Sequence, residues 1–200
     1  MLVSVWPQPG PRALLYFGGN AEDVRGSLPT LANAFPSHAI YGMHYRGYNG
    51  SAGSPSETAL HHDALALYDQ VKQSHPDIVV AGRSLGSGVA VRLASERPTA
   101  HLVLIAPYNS IQELAASQFP YLPIRWLLLD KFESWRYAPM VTAPVLILEA
   151  EHDEVIPDAS TRALVGHFRR DLVAFTVIRG AGHNTISEFP AYLAALKGFR

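Results

Sequence analysis

The sequence predicts an α/β fold: a mostly parallel sheet covered by helices on both faces. Two observations carry this. Short runs that are apolar almost throughout recur along the chain, as expected of strands buried on both sides. Longer amphipathic segments alternate with them, which is the pattern of strand–helix–strand units. The 200 residues suffice for one sizeable core, and no repeat, low-complexity tract or linker divides them, so one domain over residues 1–200 is expected.

The predicted strands are Arg12–Phe17, His38–Tyr45, Asp77–Ala81, His101–Ala106, Pro144–Ala150 and Val173–Ile178, with Val3–Trp6 as an added edge. Between them the spacing predicts helices over Asp23–Ala34, Ser56–Ser74, Leu85–Ser95, Ile111–Gln118, Ala159–Arg169 and Ser187–Lys197. In such sheets ligands bind outside the carboxyl ends of the strands, so the loops there carry the chemistry.

Composition narrows the function. The formal net charge of −1 gives no electrostatic case for nucleic acid or an anionic membrane. Charged residues are 16% against roughly 25% in an average globular domain, and apolar residues are 48%, which argues against disorder. With no cysteine, disulfides, thiol catalysis and cysteine-based metal centres are excluded. No apolar stretch approaches the roughly 18 residues needed to span a bilayer. The opening Met1–Arg12 does not read as a signal peptide, so a cytoplasmic protein is expected.

The most informative loop is Gly82-Arg83-Ser84-Leu85-Gly86, which follows Ile78–Ala81 and opens the small-residue helix Leu85–Ala94. This is the context of a nucleophile elbow: a serine on a sharp turn, flanked by glycines, with a helix N-terminus behind it. The plainer alternative is a Gly-rich turn with a capping serine. A serine hydroxyl needs a base. Of nine histidines, His183 stands out in Gly180-Ala181-Gly182-His183-Asn184, a loop built to present one side chain. His61, His62, His75, His167, His38 and His101 sit on helix faces, at helix ends or at strand starts, where packing or surface roles are expected. His44 and His152 lie at the functional edge in less telling loops. No metal-ligand spacing occurs, so neither metal nor cofactor is expected.

The base needs a carboxylate to fix its tautomer. Glu149–Pro157 follows a strand and offers four acids. Asp153 is the choice, because it falls after the strand end with Val155-Ile156-Pro157 to fix its loop. Glu149 is placed in the strand, and Glu151 and Glu154 are read as solvated neighbours. A developing oxyanion needs two donors. The backbone N–H groups of Leu85 and of Asn20, in the Phe17–Asp23 loop, are assigned to it, with Gly19 allowing close approach; a simple turn and helix cap is the alternative there.

The chain order Ser84, Asp153, His183 and these loops resemble the α/β-hydrolase superfamily over nearly the whole chain. Gly19-Asn20-Ala21 and the Tyr45–Glu57 segment, opening Tyr45-Arg46-Gly47-Tyr48, are similar to a subgroup with Gly-Asn-Ala and Tyr-Arg-Gly-Tyr motifs. That subgroup includes acyl-protein thioesterases and many bacterial hydrolases of unassigned substrate. Phe119–Trp126 resembles its segment before the acid strand. Gly18 replaces the histidine that often braces the oxyanion loop, and the membrane anchor of many relatives is not seen, so a membrane-bound thioesterase role is not expected.

The resemblance implies a three-layer fold with a minimal cap or none. The 37 residues from Pro107 to Ala143 leave room for two short helices. Trp126–Leu129 either cover the cleft or pack on the sheet. Arg46 and Tyr48 are candidates to line the site or to serve a structural loop corner, and Tyr108 is a candidate to border the acyl group. The expected activity is hydrolysis of small or short-chain carboxylic esters or thioesters. A peptidase or amidase on the same residues, and a non-catalytic binding protein, remain the alternatives.

Overall fold

The structure is a computed structural model that describes residues 1–48, 50–119 and 121–199. Asn49 and Pro120, which belong to two of the motifs above, lie outside them. Seven strands form one sheet: β1 (Leu2–Trp6), β2 (Arg12–Phe17), β3 (Ala39–His44), β4 (Asp77–Arg83), β5 (His101–Ile105), β6 (Val145–Ala150) and β7 (Val173–Ile178). Their order is β1-β3-β2-β4-β5-β6-β7. Among the described residues only β1 runs antiparallel, paired on β3 with Leu2 opposite His44; the other strand pairs are parallel.

The apolar runs are buried for the reason the sequence suggests. In β2, Ala13, Leu15 and Phe17 point into one core and Leu14 and Tyr16 into the other. The first core is closed by α2 (Glu57–Val71), α3 (Leu85–Glu96) and α7 (Asp158–Val165), through Leu60, Leu67, Val89, Leu93 and Leu164. The second is closed by α1 (Leu28–Ala34) and α8 (Pro190–Gly198), through Leu31, Tyr192 and Leu196. The edges β1 and β7 are correspondingly less buried.

The predicted helix from Asp23 is in fact a turn of 3₁₀ helix, Val24–Gly26, followed by α1, because Asp23 caps Arg25 and Pro29 favours a fresh start at Leu28. The Pro107–Ala143 connection holds α4 (Ile111–Gln118), α5 (Ile124–Leu127), α6 (Ser134–Tyr137) and a 3₁₀ turn at Ala138–Met140, more elements than the two expected. Trp126, Leu127 and Leu129 are exposed here rather than packed on the sheet, whereas Leu128 is half-buried. Among the described residues no helix is long and apolar enough to cross a membrane.

Candidate active site

The carboxyl ends of β2, β4, β6 and β7 converge on one cleft of about 200 Å³. It is lined by Gly19, Asn20, Arg83, Ser84, Val155, His183 and Asn184. A larger cavity, about 370 Å³, opens at the opposite end of the strands beside Arg12, Asp77 and His101, away from these loops.

Ser84 stands between β4 and α3 with φ 48° and ψ −119°, a conformation that costs a non-glycine residue about 1–3 kcal/mol. The surroundings hold it there. Its N–H donates to the Ile105 carbonyl at 2.9 Å, and its carbonyl accepts from the Ser87 hydroxyl at 2.6 Å. The two glycines are required by contact. A Cβ on Gly86 would run into the Phe17 carbonyl, and one on Gly82 into the Gly86 carbonyl and Ala90. The turn is therefore packed too tightly against β2 and α3 for any other residue at either position.

His183 reaches Ser84 from the loop after β7. Its Nε2 lies 2.9 Å from Ser84 Oγ, and its Nδ1 lies 2.8 and 3.0 Å from Asp153 Oδ2 and Oδ1. An ionised carboxylate only accepts, so Nδ1 carries the proton and Nε2 faces the serine as acceptor. Asp153 Oδ1 also takes the N–H groups of Val155 and Ile156, at 2.9 and 2.7 Å. Burial pushes the Asp153 carboxyl up. The His183 hydrogen bond and these two backbone donors outweigh it and hold the group below its ordinary value.

Glu149 lies in β6 as expected, buried, with Oε1 3.1 Å from Arg162. Glu151 and Glu154 do more than sit in solvent, although both are exposed. Glu151 accepts the Gly180 N–H at 2.7 Å and Glu154 the His183 N–H at 3.0 Å, so both pin the histidine loop. His44 is buried beneath the antiparallel edge, bonded to Ser4, and His152 is exposed; neither lines the cleft.

On the far side of Ser84, the Leu85 N–H is the first of α3 and has no intrahelical acceptor. The Asn20 N–H follows Gly19 in the adjoining loop. Tyr48 donates to Asn20 Oδ1 at 2.8 Å and so stands beside this loop. Tyr48 itself does not line the cleft, and neither do two other candidates. Arg46 makes a bidentate pair with Asp63 of α2, both bonds 2.7 Å, which makes it the structural brace of its loop. Tyr108 is fully buried behind the first turn of α3. Its hydroxyl donates to the Leu85 carbonyl and occupies the space left by the missing side chain of Gly88.

Sequence reasoning missed Glu22 and Arg83. The Glu22 carboxylate accepts from the Gly19 N–H at 2.6 Å, Tyr16 at 2.7 Å, Ser27 at 2.8 Å and Arg83 at 3.1 Å. Arg83 also donates to the His183 carbonyl and to Asn184 Oδ1, both at 3.2 Å. One ion pair thus ties the Gly19–Asn20 loop to the histidine loop. The only hint in the sequence was an acid three residues after Gly19; its partner Arg83 is 61 residues away.

Burial pushes the Glu22 carboxyl up, and the Gly19 N–H, the two hydroxyls and Arg83 together bring it below its ordinary value. For both Glu22 and Asp153 the folded-state value is depressed. Their stabilisation is therefore present above the ordinary carboxyl range near pH 4 and lost as pH falls through the folded value. The melting temperature is expected to decline first as pH falls through about 6.5, because burial holds His44, His61 and His101 below their ordinary values and the unfolded chain takes up those protons more readily, and to decline again below about pH 4 as the two carboxylates are lost. Glu22→Gln should show a shallower acid loss. It should also lower Tm at neutral pH by about 5–10 °C, because Arg83 loses its counter-charge in a poorly solvated position. Calorimetry across pH checks both.

Against known proteins, the family model described as "Serine aminopeptidase, S33" matches residues 31–139, more than half of the chain. An uncharacterized protein of Mycobacterium tuberculosis is 38% identical over 181 residues, covering 88% of this chain and 63% of that protein. Lysophosphatidylserine lipase ABHD12 of Danio rerio is 32% identical over 220 residues, covering 93% and 57%. The chain thus spans about three-fifths of the length of these relatives. Among solved structures, Est1E of Butyrivibrio proteoclasticus with bound ferulic acid superposes with a TM-score of 0.81 at 18% identity, covering 98% and 93%. The Pyrococcus furiosus esterase Pf2001 gives 0.77 at 18% identity, covering 94% and 82%. At that identity the structural likeness shows the fold alone. The sequence match and the seven-stranded sheet together place the family: the chain belongs to the serine aminopeptidase, S33, family of α/β-hydrolases.

Proposed function

We propose that the protein hydrolyses small carboxylic esters or thioesters through an acyl-enzyme on Ser84. The observation that carries this is the hydrogen-bonded line Asp153–His183–Ser84, opening on the cleft that Gly19 and Asn20 also line. His183 Nε2 takes the hydroxyl proton as Ser84 Oγ attacks the carbonyl carbon. The carbonyl oxygen becomes an oxyanion between the Leu85 and Asn20 N–H groups. The imidazolium, stabilised by Asp153, gives its proton to the leaving alcohol or thiol. Water, deprotonated by His183, then cleaves the acyl–serine bond and releases the acid. The Gly19-Asn20-Ala21 and Tyr45–Tyr48 segments support placing the chain in the subgroup they resemble.

The family's description favours a second reading, an aminopeptidase. That activity requires an anionic group to receive the substrate's ammonium terminus. The cleft around Ser84 is lined instead by Arg83 and Asn184, and Asp153 and Glu22 are engaged by His183 and Arg83. This favours the ester reading. A panel of p-nitrophenyl esters, a thioester and an aminoacyl anilide separates the two. Ester and thioester turnover is expected to exceed anilide turnover by at least about 10²-fold; faster anilide cleavage would support the peptidase. Activity should be unchanged by EDTA, because Ser84 is activated by His183 and not by a metal.

A further inference from the structure

We propose that an apolar recess adjoining the Ser84 cleft receives the acyl chain of the substrate and selects unbranched chains of about four to six carbons. This rests on the acyl-enzyme reading above. The recess has a volume of about 160 Å³ and is walled by Tyr48, Pro55, Leu60, Leu85 and Phe132, with the Asp130 carboxylate among its lining groups. Two residues join it to the cleft. Leu85, which follows Ser84 at the start of α3 and whose N–H is assigned to the oxyanion, lines the recess. Tyr48 forms part of the recess wall and donates to Asn20, which lines the cleft.

The direction of the chain follows from the chemistry of a tetrahedral carbon. Its oxygen points at the Asn20 and Leu85 N–H groups. Its leaving atom must meet His183 Nε2, which returns the proton, so the leaving group lies on the side of His183, Asn184 and Val155. The acyl substituent is then directed away from His183. The recess contains no residue of the His183 or Asp153 loops, which makes it the pocket on that side. The polar surface of Arg83 and Asn184 is left to the alcohol or thiol.

The recess wall is fixed before any substrate arrives. Phe132 has φ 40°, a region that a bulky side chain rarely adopts. It is held there from α2: Glu57 accepts the N–H groups of Lys131 and Phe132, both at 2.9 Å, and Asp130 accepts the Glu57 N–H at 2.8 Å. Strain of this kind persists only where the surroundings over-determine it, as this clamp does. The volume sets the chain length, since an apolar cavity of about 150 Å³ holds a benzene ring, six carbons. Each methylene that enters is worth roughly fourfold in kcat/KM, the equivalent of about 0.8 kcal/mol. A longer chain must pass the rim or meet the carboxylate.

The test is kcat/KM for p-nitrophenyl esters from acetyl to dodecanoyl, beside acetyl esters of graded alcohols. The wild type, Leu85→Phe and Phe132→Ala are compared, each titrated with a fluorophosphonate to count active sites. The wild type should rise roughly fourfold per methylene to about hexanoyl and fall beyond it. Leu85→Phe, which fills the recess from the first turn of α3, should reverse the preference to acetyl over hexanoyl. Phe132→Ala should move the optimum out by about two carbons; if that variant does not fold, Leu85→Phe decides. An acyl profile that is flat, or unchanged by Leu85→Phe, in enzyme that labels at Ser84 overturns the assignment of the recess alone. So does a length dependence that follows the alcohol instead. Absence of both labelling and ester turnover overturns the acyl-enzyme reading, and the recess assignment with it.

Discussion

Ser84→Ala is expected to reduce kcat/KM for an activated ester by about 10⁴- to 10⁶-fold while the protein stays folded. The substitution removes one oxygen, the atom 2.9 Å from His183 Nε2, and nothing else that the turn depends on. The bonds that hold the elbow are made by the Ser84 backbone, to Ile105 and Ser87, and survive in alanine. Thermal melting should therefore change little. The losses in this group are not additive: His183→Ala should cost nearly as much, and the double variant little more than either. Steady-state kinetics on the three variants, each checked by circular dichroism, measure this. Near-normal turnover by Ser84→Ala would remove the serine from the chemistry.

Asp153→Asn is expected to cost about 10⁴-fold in kcat, and the hydrogen bonds say why. Asp153 Oδ1 accepts from both Val155 and Ile156. An asparagine at this position keeps its carbonyl oxygen on those two donors, which leaves its NH₂ facing His183 Nδ1. Nδ1 must then accept, the proton moves to Nε2, and the imidazole presents a donor to Ser84 where an acceptor is required. Glu151→Gln and Glu154→Gln should cost little by comparison. A glutamine carbonyl can still accept from Gly180 and from His183 N–H, so the histidine loop stays pinned. A larger loss in Glu151→Gln than in Asp153→Asn would move the orienting carboxylate to Glu151.

The sheet was legible because its strands are buried on both faces and must be apolar along their length; Arg12–Phe17 and Val173–Ile178 end where the sequence suggests. The elbow was legible because its glycines answer to contacts made within a few residues and across one neighbouring strand. What could not be read depends on distant partners. The side chain of Tyr108 follows the loop-initiating Ala106, whose φ is 46°, and turns under α3; nothing near it in sequence announces Gly88 as its seat. Arg46 is decided by Asp63 on the next helix, and Glu22 by Arg83 two strands on in the chain. Trp126–Leu129 could be read either as packing on the sheet or as covering the cleft, and Trp126, Leu127 and Leu129 are exposed instead of packed on the sheet. Charge pairs and loop paths are long-range properties, whereas strand burial and glycine contacts leave a local trace.

The central claim is that Ser84 is a nucleophile activated by His183 and oriented through Asp153. It is tested most directly by treating the protein with a fluorophosphonate and locating the adduct by peptide mass spectrometry. We expect one equivalent of phosphonyl group on Ser84, formed at a rate that falls by several orders of magnitude in His183→Ala and is absent in Ser84→Ala. A protein that takes no label, or takes it on another residue at the same rate in all three forms, would contradict the account.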